Sequence, residues 1–340
     1  MEKIAVIDMG SNSAKLILAY VLEDGHNDGH FVVFDELRET VRLGQDMERD
    51  GYIKPSRIAQ AVKTLKMFKK LCDTNNVDKI YAVATNAIRR AKNQKSFLEE
   101  VNSTCGFKLR VLSEEEEAQL IYHGVINSMD APKGVIVDIS GSSLQLVNRS
   151  TLPFGAITLS DLFNDGSHSP EETASLIEEY VTNQLSEISW LKEVEPDVQL
   201  IGVGGSFRNL ATISQRLRRY PLSVMHNYGI GKSEFINIYD TIKVLPVDKR
   251  AKIKGLNEER ADIFVSALAT IKSFLDCTSF DHMTISASGL REGIMFNHAV
   301  PTTAEKPISD IVAHSVYTQL YYCDQNIRHC EKVCNLSIML

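Results

Sequence analysis

Two stretches of the chain carry the same order of apolar and polar positions: AVIDMGSNSAKLIL at 5–18 and VIVDISGSSLQLVN at 135–148. In each, an apolar run ends at an aspartate, a short Gly/Ser segment follows, and a second apolar run resumes. That pattern predicts a strand, a tight turn and a strand. Superposing Asp8 on Asp138 also superposes Ser13 on Ser143, Lys15 on Gln145 and Leu16 on Leu146, so the chain reads as two related halves facing each other.

The remaining pattern fills in around these repeats. In the first half, 3–8, 13–21 and 31–37 read as strands, with a polar, Gly-containing turn at 23–29. Apolar residues recur at helical spacing from Ile58 through Ala61, Val62, Leu65, Phe68 and Leu71, which predicts a helix over 56–72 capped at or near Ser56. A strand at 79–85 leads into AIRRAKNQKSFLEEV, and a strand at 107–112 feeds the acidic helix start SEEEEAQLIYHGVI. The second half repeats the plan with strands at 134–139, 143–148 and about 153–159, a helix over about 170–188, a strand at 198–203 and a Gly-rich turn into a helix at 206–214. Helices over 232–243 and 257–275 follow, and MTISASGLREGIMF reads as strand, turn and helix start. Boundaries near 125–133 and 299–307 divide the chain into a first domain over 1–125, a second over 126–300 and a helical tail over 301–340.

Composition narrows the classes. A chain of 340 residues with 44% hydrophobic content can bury two full cores. The formal net charge of −7 argues against a general nucleic-acid binder, and a polyanionic ligand requires a local basic track. No signal-peptide pattern and no apolar run of spanning length is present, so a cytoplasmic protein without a membrane partner is expected. The six cysteines include no CxxC pair, and reduced thiols are expected. In the tail, His329, Cys330 and Cys334 offer a zinc reading, against which core packing on an apolar helix is preferred. The segment around His329, Val333 and Leu336 resembles the first helix of an HD-type all-helical domain, and its apolar face is a candidate dimerisation surface.

Small residues let backbone N–H groups approach an anion, and a carboxylate at each strand end can hold a hard cation. The doubled Asp and Gly/Ser pattern therefore predicts a phosphate and metal cleft between the halves.

Seven motifs, IDMGSNSAKL, ATNAIRRAKN, SEEEEAQLIYHGV, VDISGSSLQL, GVGGSFRNLA, ERADIFVSALATI and SASGLREGI, stand in this order over roughly residues 3 to 298. They resemble those of the exopolyphosphatase and guanosine pentaphosphate phosphatase family. The resemblance implies an α/β fold of two actin-like, ribonuclease-H-like domains with an interdomain cleft, followed by a short helical C-terminal segment. It also implies hydrolysis of terminal phosphate from inorganic polyphosphate or from guanosine pentaphosphate, with guanosine tetraphosphate as a further candidate ligand, Mg²⁺ (or Mn²⁺) as cofactor and K⁺ as a candidate second ion. By motif position, Asp8 and Asp138 are the implied metal ligands and, with Glu117 as general base, the catalytic set. The implied substrate-binding residues are Gly10, Ser11, Asn12, Ser13, Arg89, Gly141, Ser142, Ser143, Gln145, Gly204, Gly205, Ser206 and Arg260. Arg90, Lys92 and Lys95 read as a solvated basic face, and SGLREG at 288–293 reads as structural.

One motif departs from the family. Where the pattern is approximately DxGGGSTE, this chain has Ser140 for a glycine and Gln145 for the glutamate. Ser140 adds a side chain where phosphate approaches, and Gln145 removes a charge from the metal side. An exopolyphosphatase-type hydrolase, forming a homodimer, is the expected function. A weakened polyphosphate or alarmone binding protein and an actin-like kinase or ATPase are the alternatives.

Overall fold

The computed structural model describes residues 1–22, 29–131, 133–147, 150–195, 198–300 and 308–338. The expected turn at 23–29, apart from Gly29, and the 301–307 part of the second expected boundary lie outside the described residues.

Strands β1 (Glu2–Met9), β2 (Ser13–Val21) and β3 (Phe31–Thr40) form an antiparallel meander. β4 (Lys79–Ala84) and β5 (Arg110–Val111) add in parallel beyond β1, so the order is β3-β2-β1-β4-β5. β1 is apolar from Ile4 to Ile7 because both its faces are covered. Ala5, Ile7 and Met9 join Leu65, Phe68 and Phe97 of the helices Pro55–Thr74 and Gln94–Cys105, whereas Ile4 and Val6 join Ile294 and Met295 of the helix Leu290–Ala299.

The second sheet repeats the plan. β6 (Gly134–Ile139), β7 (Leu144–Leu146) and β8 (Ser150–Leu152) form the meander, and β9 (Gln199–Val203) adds in parallel to β6. β10 (Tyr228–Gly231), which the pattern did not signal, pairs antiparallel with β11 (His282–Ile285), giving the order β10-β11-β9-β6-β7-β8. This is the actin-like α/β architecture implied by the motifs.

The helix Glu114–Ile126 lies between the sheets. Leu120 packs with the first-sheet cluster, while Ala118, Ile121 and Val125 pack with Ile136, Ile201 and Val203 of the second. The helix Leu290–Ala299, from within the second expected domain, crosses it and covers the first sheet. The crossing is close: a Cβ on Gly293 would stand 1.8 Å from the Leu120 carbonyl oxygen. Gly293→Ala is therefore expected to destabilise the fold by about 1–3 kcal/mol, because a backbone contact cannot be relieved by a rotamer change and outweighs the ~1 kcal/mol gain in helix propensity. Urea unfolding of the two proteins measures it, and an unchanged midpoint would refute the close crossing.

Several elements differ from the pattern-based expectation. The stretch expected as a strand at about 153–159 is a helix, Ala156–Phe163. Its apolar run is too short to distinguish the two periods, and its first N–H groups instead bond to the neighbouring loop carbonyls of Ser140 and Gly141. The helix expected over 257–275 is a 3₁₀ turn, Glu258–Arg260, then a helix, Phe264–Asp276; Asn257 caps the turn through Glu259 N–H at 2.9 Å. AIRRAKNQKSFLEEV divides into Asn86–Arg90 and Gln94–Cys105, and only Arg110–Val111 of 107–112 pairs as strand. The first long helix begins at Pro55 with Lys54 at the cap position, so Ser56 is not its cap.

In the tail, Ile311–Tyr322 docks on the first sheet through His30, whose Nδ1 lies 2.7 Å from Thr318 Oγ1 and whose ring stacks on His314. The helix Ile327–Ile338 has no buried residue, so core packing of Cys330 and Cys334 is not observed: Cys330 is half-buried and Cys334 exposed. No described helix is long and apolar enough to cross a membrane.

Candidate active site

The two repeats fold into corresponding strand–turn–strand corners. Asp8 stands opposite Lys15 in the β1–β2 register, and Asp138 stands opposite Gln145 in β6–β7. The first turn is closed by Gly10 N–H donating to the Ser13 carbonyl at 3.1 Å, and the second by Ser140 N–H donating to the Ser143 carbonyl at 3.0 Å. The turns meet through the hydroxyls of Ser11 and Ser142, and Asn86 Nδ2 donates to the Ser142 carbonyl at 2.6 Å.

Between them is a cavity of about 300 Å³. Asp8, Gly10, Ser11, Asn12, Ser13, Glu117, Asp138, Gly141, Gly204, Gly205 and Arg260 all line it. Among the other residues proposed from the motifs, Ser142 is at the junction of the loops, Ser143 bonds Ser140 Oγ through its N–H at 3.0 Å, and Ser206 accepts from Arg260 Nη2 at 2.9 Å. Gln145 is buried beneath the second loop. Arg89 stands behind Glu117. None of these five lines the cavity.

Ser140 does line it, but its hydroxyl is turned into its own loop, donating to the Ser143 carbonyl at 3.1 Å. The added side chain thus adds bonds to a turn that its backbone already closes, as Gly10 closes the first, and commits its hydroxyl to the loop. Gly204 is needed for a different reason. Its φ is +95°, and a Cβ there would stand 2.4 Å from Asp138 Oδ1, so only glycine leaves room for that carboxylate.

Five cations line the same cavity: Lys15, Arg38, Arg208, Arg260 and Arg291. Four of them, with Glu36 and Glu292, were not assigned to the site from the motifs. Lys15 was nevertheless marked by its place opposite Asp8, Arg208 by GVGGSFRNLA and Arg291 by SGLREG, which is both a packing and a cavity motif. Lys15 Nζ lies 3.4 Å from Asp8 Oδ2, and Arg291 Nη1 donates to Glu36 Oε1 at 2.6 Å. Burial, together with Arg38 and Arg208, pushes Arg260 down to about 9, and its Nε has no hydrogen-bond partner. The Asn12 Nδ2 donor is likewise buried without one. These unmet donors suit an oxyanion ligand.

The acids respond to the same burial. Glu117, 4% exposed, follows a capping box made by Ser113 and Glu116, which seats it in the first turn of its helix. Burial pushes its carboxyl up to about 7, opposed by the Arg89 guanidinium and reinforced by Asp138 and Asp8. Burial likewise raises Asp138 to about 6, with Lys15 and Arg208 pulling the other way. A hard divalent ion would find Asp8 and Asp138 here. Gln145 Oε1, opposite Asp138 in register, is buried without a hydrogen-bond partner. Among the described residues no group of three or more His, Cys, Asp or Glu converges as a metal set. A hard divalent ion held here would take Asp8 and Asp138 as its carboxylates and would need water and substrate to complete its shell.

The corners and the opposed sheets define an actin-like α/β protein with a cation-lined cavity between the two corners. The model of the Ppx/GppA phosphatase family matches residues 24–300, and the chain belongs to that family. It is 26% identical over 298 residues to a bifunctional 3-dehydroquinate synthase/phosphatase of Fusobacterium nucleatum, covering 83% of this chain and 44% of that protein. It is 25% identical over 346 residues to a guanosine-5'-triphosphate,3'-diphosphate pyrophosphatase of Vibrio vulnificus, covering 99% of this chain and 66% of that one. The chain thus spans less than two thirds of the length of either relative. The solved structure of an Aquifex aeolicus Ppx/GppA family member superposes with a TM-score of 0.70 at 28% identity, covering 89% of this chain and 99% of that one.

Proposed function

We propose that this protein is a phosphoanhydride hydrolase that releases terminal orthophosphate from inorganic polyphosphate or guanosine pentaphosphate. The observation that carries the reading is a buried glutamate, its carboxyl pushed up to about 7, opening on the same cavity as two aspartates and five cations. A general base works best with a pKa near the operating pH. Water attacks the terminal phosphorus and gives its proton to Glu117, while the bridging P–O bond breaks and its electron pair stays with the departing chain. Lys15, Arg208, Arg260 and Arg291 offset the charge on the phosphoryl oxygens and on that leaving oxyanion. Asp8 and Asp138 would hold Mg²⁺, which when bound supplies further charge neutralisation at the phosphoryl group. The family membership supports a phosphatase, and the cation-lined cavity supports an anhydride chain over a lone phosphate ester. Phosphate release from long polyphosphate and from guanosine pentaphosphate, with and without Mg²⁺, tests the reading; release from neither would refute it.

Gln145 favours a second reading, that of a weakened enzyme acting mainly as a binder of the same anions. Its amide has neither nitrogen nor oxygen hydrogen-bonded, so the site carries an unmet polar group where a charge would interact with a cation. Under that reading Gln145→Glu should tighten Mg²⁺ binding at least about tenfold and raise phosphate release, since a carboxylate adds Coulomb attraction that an amide lacks. An active wild type slowed by Gln145→Glu would instead favour the competent enzyme. Calorimetry for Mg²⁺ and a phosphate-release assay on both proteins give the sign.

A further inference from the structure

The geometry points to Arg89 as a positioning residue that holds the Glu117 carboxylate in place, in contrast to the phosphate contact implied by its motif. The inference rests on the hydrolase reading above. Arg89 lies in the short helix Asn86–Arg90, which follows β4 after Thr85. Its Nη1 donates both to Glu117 Oε2 at 3.1 Å and to the Leu112 carbonyl at 2.8 Å. Leu112 immediately precedes Ser113, the cap of the helix that carries Glu117. One guanidinium nitrogen therefore joins the carboxylate to the backbone at the start of its own helix. Nη2 lies 3.6 Å from Glu114 Oε1, an ion-pair separation beyond hydrogen-bond distance, and makes no hydrogen bond, so Nη1 alone carries the link to Glu117.

Three features separate this arrangement from a substrate contact. Arg89 does not line the cavity, whereas Glu117 does. Its bond engages one carboxylate oxygen and leaves the other for the cavity, as a base requires. Finally, Asp8 and Asp138 both act on Glu117 with like charge, and Arg89 is the cation bonded to it. Moving that guanidinium onto a phosphate would leave Glu117 buried among acids with neither a fixed rotamer nor a counter-charge. Positioning to within a fraction of an ångström is worth one to two orders of magnitude in rate.

The test uses Arg89→Met, Arg89→Lys, Glu117→Ala and the Arg89→Met/Glu117→Ala double variant, with Mg²⁺ and inorganic polyphosphate as the probe. Arg89→Met is expected to lower kcat by about 30- to 100-fold, while KM and equilibrium polyphosphate binding stay within about threefold. Arg89→Lys should recover part of the rate, because it restores the charge without the fork. In the Glu117→Ala background, Arg89→Met should cost less than about twofold more, since the group it positions is gone. A tenfold loss of polyphosphate binding in Arg89→Met, or an undiminished further loss in the double variant, would overturn the inference and leave the hydrolase reading standing. A wild type that releases no phosphate would overturn both.

Discussion

Glu117→Gln is expected to lower phosphate release by about two to three orders of magnitude with little change in substrate affinity. Glutamine keeps the size and one acceptor of the side chain, so the Arg89 contact and the helix start survive, but it cannot accept the proton that the attacking water loses. Glu115→Gln is expected to be silent, because Glu115 is exposed on the same helix turn. An equal effect from Glu115→Gln would mean that another carboxylate serves as base. The pH dependence has a definite sign: only the ionised carboxylate accepts a proton, so kcat should rise with pH through about 7. Stability without metal should run the other way. Between the ordinary carboxylate value of 4.5 and about 7 the folded protein holds a proton on Glu117 that the unfolded chain has released, so this group's contribution falls as pH rises through that window. Thermal unfolding of wild type and Glu117→Gln in chelator across this range should reveal the difference, with the variant gaining relative to wild type toward pH 8.

Asp8→Asn and Asp138→Asn are each expected to remove Mg²⁺-dependent release by about a thousandfold or more and to weaken Mg²⁺ binding at least tenfold, with the fold intact. The substitutions are nearly isosteric, and Gly204 leaves the space beside Asp138 open. What changes is charge. Lys15 lies 3.4 Å from Asp8 and also acts on Asp138, so removing either carboxylate leaves the site more positive and less able to retain a cation. Calorimetry for Mg²⁺ reads this independently of turnover. Full activity in both variants would refute a joint metal site.

The corners were legible because strand, turn and strand are local, and a second copy 130 residues away confirmed their register. Glu117 was legible only through its place in SEEEEA, which resembles the family motif; the local pattern marks an acidic helix start and does not say which glutamate turns inward. Arg38 lies in none of the motifs, and Arg208 and Arg291, though inside GVGGSFRNLA and SGLREG, could not be placed at the cavity from them. Each belongs to a different element, and only the crossing of Leu290–Ala299 onto the first sheet and the parallel return of β9 bring them to one cavity. The hydroxyl of Ser140 and the guanidinium of Arg89 illustrate a further limit: residue type fixes what a group can bond, while tertiary neighbours decide whether it bonds the ligand or the scaffold. The helix Ala156–Phe163 was lost to its ambiguous period and settled by its docking on the second loop.

The corners here match in backbone but not in the residue opposite each aspartate, which is Lys15 on one side and Gln145 on the other. That difference makes the two aspartates inequivalent: Asp8 has the Lys15 ammonium 3.4 Å away, whereas the residue facing Asp138 across its own corner is an uncharged amide, so a cation placed between them meets a carboxylate already compensated from its own hairpin on one side and not on the other.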